Sequence, residues 1–131
     1  NNYGGGLAGT GGIVPHLSFS GGTTRDGNSA FAYELQGGRG GALSVLTVSP
    51  FQRSVPFRGG TLLVETSTSL SIRVVGALGG SVGVAGAGSR RVPFPIGLAT
   101  GFHLYAQFAV RDPAAVQGFA FSDGLHFRVC P

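Results

Sequence analysis

Glycine-rich turns divide this chain into short runs, none of which carries convincing helical periodicity. The punctuation is explicit at Gly21-Gly22, Asp26-Gly27-Asn28, Gly37-Gly38-Arg39-Gly40-Gly41, Gly59-Gly60, Gly79-Gly80 and Asp112-Pro113. Glycine supplies the backbone angles that tight turns need, and Asp or Asn bonds its own backbone there. The runs between the turns alternate. Phe31, Tyr33 and Leu35 fall on one face of a strand, as do Phe102, Leu104, Ala106, Phe108 and Val110. Leu43, Val45 and Thr47 oppose Leu46 and Val48, and this two-sided apolarity predicts a central strand or an interface. Further strands are expected at His16 to Ser20, Thr61 to Glu65, Leu70 to Val75, Ser81 to Ala85, Phe119 to Phe121 and Leu125 to Val129. Such spacing predicts an all-β, antiparallel sandwich of about eight strands, immunoglobulin-like or jelly-roll-like. Asp112-Pro113-Ala114-Ala115 leaves room for one helical turn, with Asp112 as its cap.

The length of 131 residues suits one domain with one core. Charged residues are only 11% of the chain, against a typical ~25%, and with 42% apolar residues disorder is excluded. The run Leu43 to Val48 holds no glycine, which excludes a collagen repeat. We expect a glycine-rich arm over residues 1–12 and a single sandwich domain over 13–131. All nine basic residues are arginine and the net charge is +4, which permits acidic partners. The arginines are scattered, adjacent only at Arg90-Arg91, so no nucleic-acid partner is expected. The longest uncharged stretch, Val92 to Val110, carries Pro93, Pro95 and His103, and no membrane span is expected. A chain starting at Asn1 fits a secreted protein after signal-peptide removal. Cys130 is the single cysteine, so it either bridges to another chain or is a buried thiol.

No constellation points to catalysis, a cofactor or a metal. Gly4, Gly6 and Gly9 spell the dinucleotide-loop spacing, but the strand and helix that loop requires are missing from the pattern. His16, His103 and His126 lack the close spacing of zinc ligands; His103 and His126 become neighbours if the last two long strands pair. No Gly-x-Ser-x-Gly elbow occurs. Of the carboxylates, Asp26, Asp112 and Asp123 sit in turn sequences where a short acceptor caps backbone N–H groups.

The ends of the chain carry a resemblance. Tyr3-Gly4, Gly9-Thr10-Gly11-Gly12 and Val14-Pro15-His16-Leu17 open it; Leu104-Tyr105-Ala106-Gln107-Phe108-Ala109-Val110-Arg111-Asp112-Pro113-Ala114-Ala115 and Phe121-Ser122-Asp123-Gly124-Leu125 close it. Together they resemble a β-sandwich accessory module of secreted proteins from planctomycete- and myxobacteria-type bacteria. The resemblance implies an extracellular, non-catalytic domain and brings no site residues. Where that module often has cysteines, near Leu7 and near Thr61, this chain has none. The missing staple would be worth roughly 3–4 kcal/mol, so the arm must be held in another way.

Two functions follow. The first is a structural subunit that assembles with copies of itself, its arm adding a strand to a neighbour through Tyr3, Leu7, Ile13 and Val14, with Cys130 available for an intermolecular disulfide. The second is a carbohydrate- or surface-binding module. There, Phe51, Arg53, Phe57 and Arg58 would form a loop patch for an acidic glycan.

Overall fold

A computed structural model describes residues 2–3, 6–20, 31–57, 60–64, 72–93, 103–113, 115 and 118–128. The chain is all-β. In order, its strands are β1 (Asn2–Tyr3), β2 (His16–Ser20), β3 (Ala32–Gly38), β4 (Leu43–Ser49), β5 (Gln52–Phe57) and β6 (Gly60–Val64). There follow β7 (Ile72–Ala77), β8 (Gly88–Pro93), β9 (His103–Arg111), β10 (Phe119–Phe121) and β11 (Gly124–Arg128). A 3-10 turn at Thr10–Gly12 is the one helical element among the described residues. No helix among them is long and apolar enough to cross a membrane.

Every pairing is antiparallel. The large sheet runs β1-β11-β9-β4-β7, with β10 on the far half of β9, and the small sheet runs β2-β3-β8. The two-sided run at Leu43–Ser49 is central, flanked by β9 and β7. β10 and β11 are one interrupted strand. At the break Phe108 N–H donates to the Ser122 hydroxyl at 2.9 Å, and Ser122 N–H donates to the Phe108 carbonyl at 3.0 Å.

The sheets close over the alternating residues predicted to face inward. Leu104, Ala106, Phe108 and Val110 of β9 are buried, opposite Leu46 and Val48 of β4 and Leu125 and Phe127 of β11. From the small sheet come Leu17, Tyr33, Leu35 and Val92, with Phe31 just ahead of β3. Phe31 is the hub of a ring cluster, its centroid 5.1 Å from Phe127, 5.2 Å from Tyr33 and 5.4 Å from Phe19. Phe31 and Tyr33, both fully buried, each contribute about 1.5–3 kcal/mol of transfer free energy, while Phe19 is 39% exposed.

The sheets are pinned at both sides by polar groups. On one side Asp123, in the β10–β11 break, accepts the Leu17 N–H of β2 at 3.0 Å and lies 3.2 Å from His16. The sequence context predicts an acceptor for the N–H groups of its own turn; this bond instead reaches a strand of the other sheet. On the other side Arg90 of β8 crosses to the large sheet, donating to the Ser44 hydroxyl at 3.1 Å and the Val74 carbonyl at 3.3 Å. Gly76 leaves the space that its guanidinium occupies: a Cβ there would sit 2.7 Å from the central guanidinium carbon.

Two expectations are corrected. Ser81 to Ala85 is not a strand but a run of turns, because Gly80, Gly83 and Gly86 take φ of +89°, +78° and +71°, outside the extended region. Gln52–Phe57, read as loop, is a strand paired with β6 as a separate hairpin.

That hairpin adds a third layer. β6 lies against β9, β10 and β4 on the outer face of the large sheet. The buried side chain of Gln107, 3% exposed, fastens it: Oε1 accepts the Leu63 N–H at 3.0 Å, and Nε2 donates to the Ser122 carbonyl at 3.1 Å. Leu63, Val64 and Phe121 are buried here, outside the main core. Ser49 turns the chain from β4 into the hairpin by accepting the Phe51 N–H at 3.2 Å.

Candidate functional site

The N-terminal arm is held by its own sheet. Asn2 pairs with Leu125 and Tyr3 with Gly124, so β1 covers the edge that β11 would otherwise expose. Leu7 exchanges two backbone hydrogen bonds with Phe121, at 2.9 and 3.1 Å. Tyr3 attaches the arm through its side chain. Its hydroxyl donates to the Leu63 carbonyl at 2.7 Å, tying arm to hairpin, and its ring meets Tyr105 edge-on at 5.9 Å. The ring is seated over Gly124, where any Cβ would collide with it. Burial, then the neighbouring Tyr105, pushes the Tyr3 hydroxyl well above its ordinary pKa, so it stays a donor at every physiological pH.

Beyond Leu7 the arm turns. Gly9 passes against the Asp112 carboxylate, where no side chain fits, and Gly11 and Gly12 have φ of +75° and +72°. Ile13 and Val14 are exposed, at 38% and 46%. Ile13 rests near Gly86 and Val14 near Gly6. Of the four predicted arm residues, the structure therefore brings Tyr3 and Leu7 to the sheet and leaves Ile13 and Val14 on the surface of the turn.

Next to Tyr3 lies the histidine pair foreseen from strand pairing. His103 Nδ1 and His126 Nε2 are 2.7 Å apart, one donating and one accepting. The ring centroids are 5.0 Å apart and the planes differ by 10°, so the nitrogens lie between the centroids and the rings meet edge to edge. Tyr105 lies parallel to His126 at 4.5 Å. Burial, then His103, lowers the His126 pKa below its ordinary value. Among the described residues no three His, Cys, Asp or Glu converge as metal ligands.

Of the predicted glycan patch, Phe51 alone has a described side chain. Phe51 is exposed at 49%, in the bend before β5. Arg53 and Phe57 lie on the β5 backbone, their side chains outside the described set. Arg58 and Cys130 lie outside the described residues altogether. Sequence reasoning missed a different pair, Arg39 and Arg111, which line a pocket together with Gly40, Gly41, Val82, Gly83 and Gly118. Comparison with protein-family models, curated sequences and solved structures finds no match.

Proposed function

We propose that this chain is a non-catalytic, extracellular structural subunit that assembles with copies of itself by exchanging its N-terminal arm. The observation that carries this reading is how the arm is bound. It is a short strand on an otherwise open edge, attached by backbone pairing at Asn2, Tyr3 and Leu7 and by one seated ring, and followed by a glycine turn at residues 9–12. Each of those contacts is the same whether the arm belongs to the same copy or to a neighbour. Exchange of an identical element is a low-cost route from monomer to oligomer. Pairing of an added strand supplies its affinity through main-chain hydrogen bonds. The extracellular setting rests on the resemblance carried by the two ends of the chain.

The test is light scattering and negative-stain microscopy of the full chain across a concentration series, with and without reductant. Concentration-dependent oligomers or fibres are expected. Gly124→Val, which fills the seat of Tyr3, should abolish them while the urea transition persists. Monomers at every concentration would overturn the proposal, and assembly unaffected by Gly124→Val would overturn the arm's part in it. Loss of assembly on reduction alone would assign it to Cys130.

A further inference from the structure

Beyond assembly, the structure points to a ligand site at one end of the sandwich. We propose that the pocket between Arg39 and Arg111 binds an oxyanion, a carboxylate or sulfate group of the kind carried by acidic polysaccharides.

The pocket encloses about 520 Å³, within the range of small-molecule sites. Two arginines line it, and neither guanidinium has a protein acceptor within hydrogen-bond distance among the described residues. Arg39 is the more telling. Its side chain is only 30% exposed, and its nearest carboxylate, Asp112, is 4.0 Å away. That distance is beyond a hydrogen bond but well within Coulombic reach. Asp112 itself is 2% exposed, so it acts from beneath, holding Arg39 without consuming its donors. A half-buried guanidinium with unspent donors is costly unless an acceptor arrives. Arg111, exposed at the end of β9, brings the second fork. Two cations against one buried anion leave the pocket net positive.

Two of the segments that line the site are bonded to each other. Gly40 N–H donates to the Val84 carbonyl at 3.1 Å, and Gly83 N–H donates to the Gly40 carbonyl at 2.9 Å, locking two loops together. Gly41, Gly83 and Gly118 all have φ between +71° and +82°. At Gly83 a Cβ would also come within 3.4 Å of Arg39 Nη2, so glycine there leaves the guanidinium free. Among the described residues the lining contains no aromatic side chain on which a base or sugar ring could stack. Recognition therefore falls on charge and on the paired N–H donors that match planar oxyanions.

Calorimetric titration of the full chain at low salt distinguishes the sources of that chemistry. The probes are sodium sulfate, a galacturonate oligomer and a neutral glucose oligomer. We expect the acidic oligomer to bind, the neutral one not to, and Arg111→Gln to weaken binding by about 10-fold or more. Arg111→Lys should fall between, keeping charge but losing the fork. Arg39→Lys should also weaken binding while preserving the charge above Asp112 and the fold. Arg73→Gln, on β7 and outside the pocket lining, serves as control. Unchanged affinity in Arg111→Gln, an equal loss in Arg73→Gln, or no binding of any oxyanion would overturn the site. Sulfate binding as tightly as the oligomer would keep the oxyanion site and overturn the polysaccharide as its source. None of these outcomes depends on assembly, so this site and the arm-exchange reading can fail separately.

Discussion

The two faces of the large sheet are made from alternate residues of the same strands, yet they are closed by different physics. The inner face meets the small sheet through Phe31, Leu46, Phe108, Phe127 and their neighbours, with polar groups kept to the margins at Asp123 and Arg90. The outer face meets a hairpin and an arm through particular atoms: the Gln107 amide, the Ser122 carbonyl and the Tyr3 hydroxyl. Apolar burial is non-directional and tolerates rearrangement of shape. A buried hydrogen bond has one geometry, and losing one partner strands the other. The inner face should therefore respond to lost volume, and the outer face to lost polar atoms at constant volume.

The largest effect expected is on the inner face. Phe108→Ala removes a fully buried ring and should lower unfolding stability by about 3–5 kcal/mol. Urea denaturation checks it, and Phe108→Leu should recover most of the loss. Gln107→Leu comes next. It nearly conserves volume but leaves the Leu63 N–H and the Ser122 carbonyl without their partner, at a cost of about 1–3 kcal/mol. Hydrogen exchange at Leu63 should rise with it. If Gln107→Leu proves neutral, the outer layer is held by apolar contact after all and the contrast between the faces collapses.

This contrast also marks what could be read in the sequence. Period-two alternation exposes the inner face directly, so β3, β4, β9 and β11 are legible from Phe31, Leu46, Phe108 and Leu125 outward. The outer layer is not. On β5 the pattern is interrupted by Arg53 and Pro56. Gln107 falls at an outward position of a strand, where a polar residue looks solvated until a hairpin covers it. The Ser81 to Ala85 error has a related origin, since Val82 and Val84 imitate a strand while the flanking glycines set a turn. The pairing of His103 with His126 was legible because it follows from strand adjacency alone. The Arg39–Arg111 pocket was not, because 72 positions separate its two cations and only the fold brings them together.

A smaller effect should separate the arm from the layer it touches. Tyr3→Phe keeps the ring over Gly124 and its edge contact with Tyr105 but deletes the bond to Leu63. The cost is about 0.5–1.5 kcal/mol, confined to the arm. Proteolysis near Leu7 should accelerate while exchange within β3 and β4 stays unchanged. Loss of protection in β4 would show that arm and core form one cooperative unit, against the local character argued for the outer face.

The smallest effect expected is a pH dependence that only the outer face should show. Burial and His103 lower the His126 pKa in the folded chain, so near and just below the ordinary value of about 6.5 the unfolded chain binds more protons at this position. Unfolding free energy then rises with pH through that range, and this contribution to stability is lost as pH falls below it. Because the ring is half exposed, the change should be modest and blunted by salt. The readout is the urea midpoint at pH 8 and pH 5 for the parent and for His126→Asn. The parent should lose more than the variant, and the penalty of Phe108→Ala should stay constant across the same range. Equal losses in parent and variant would take the titration away from His126 and leave the outer face no more pH-sensitive than the core.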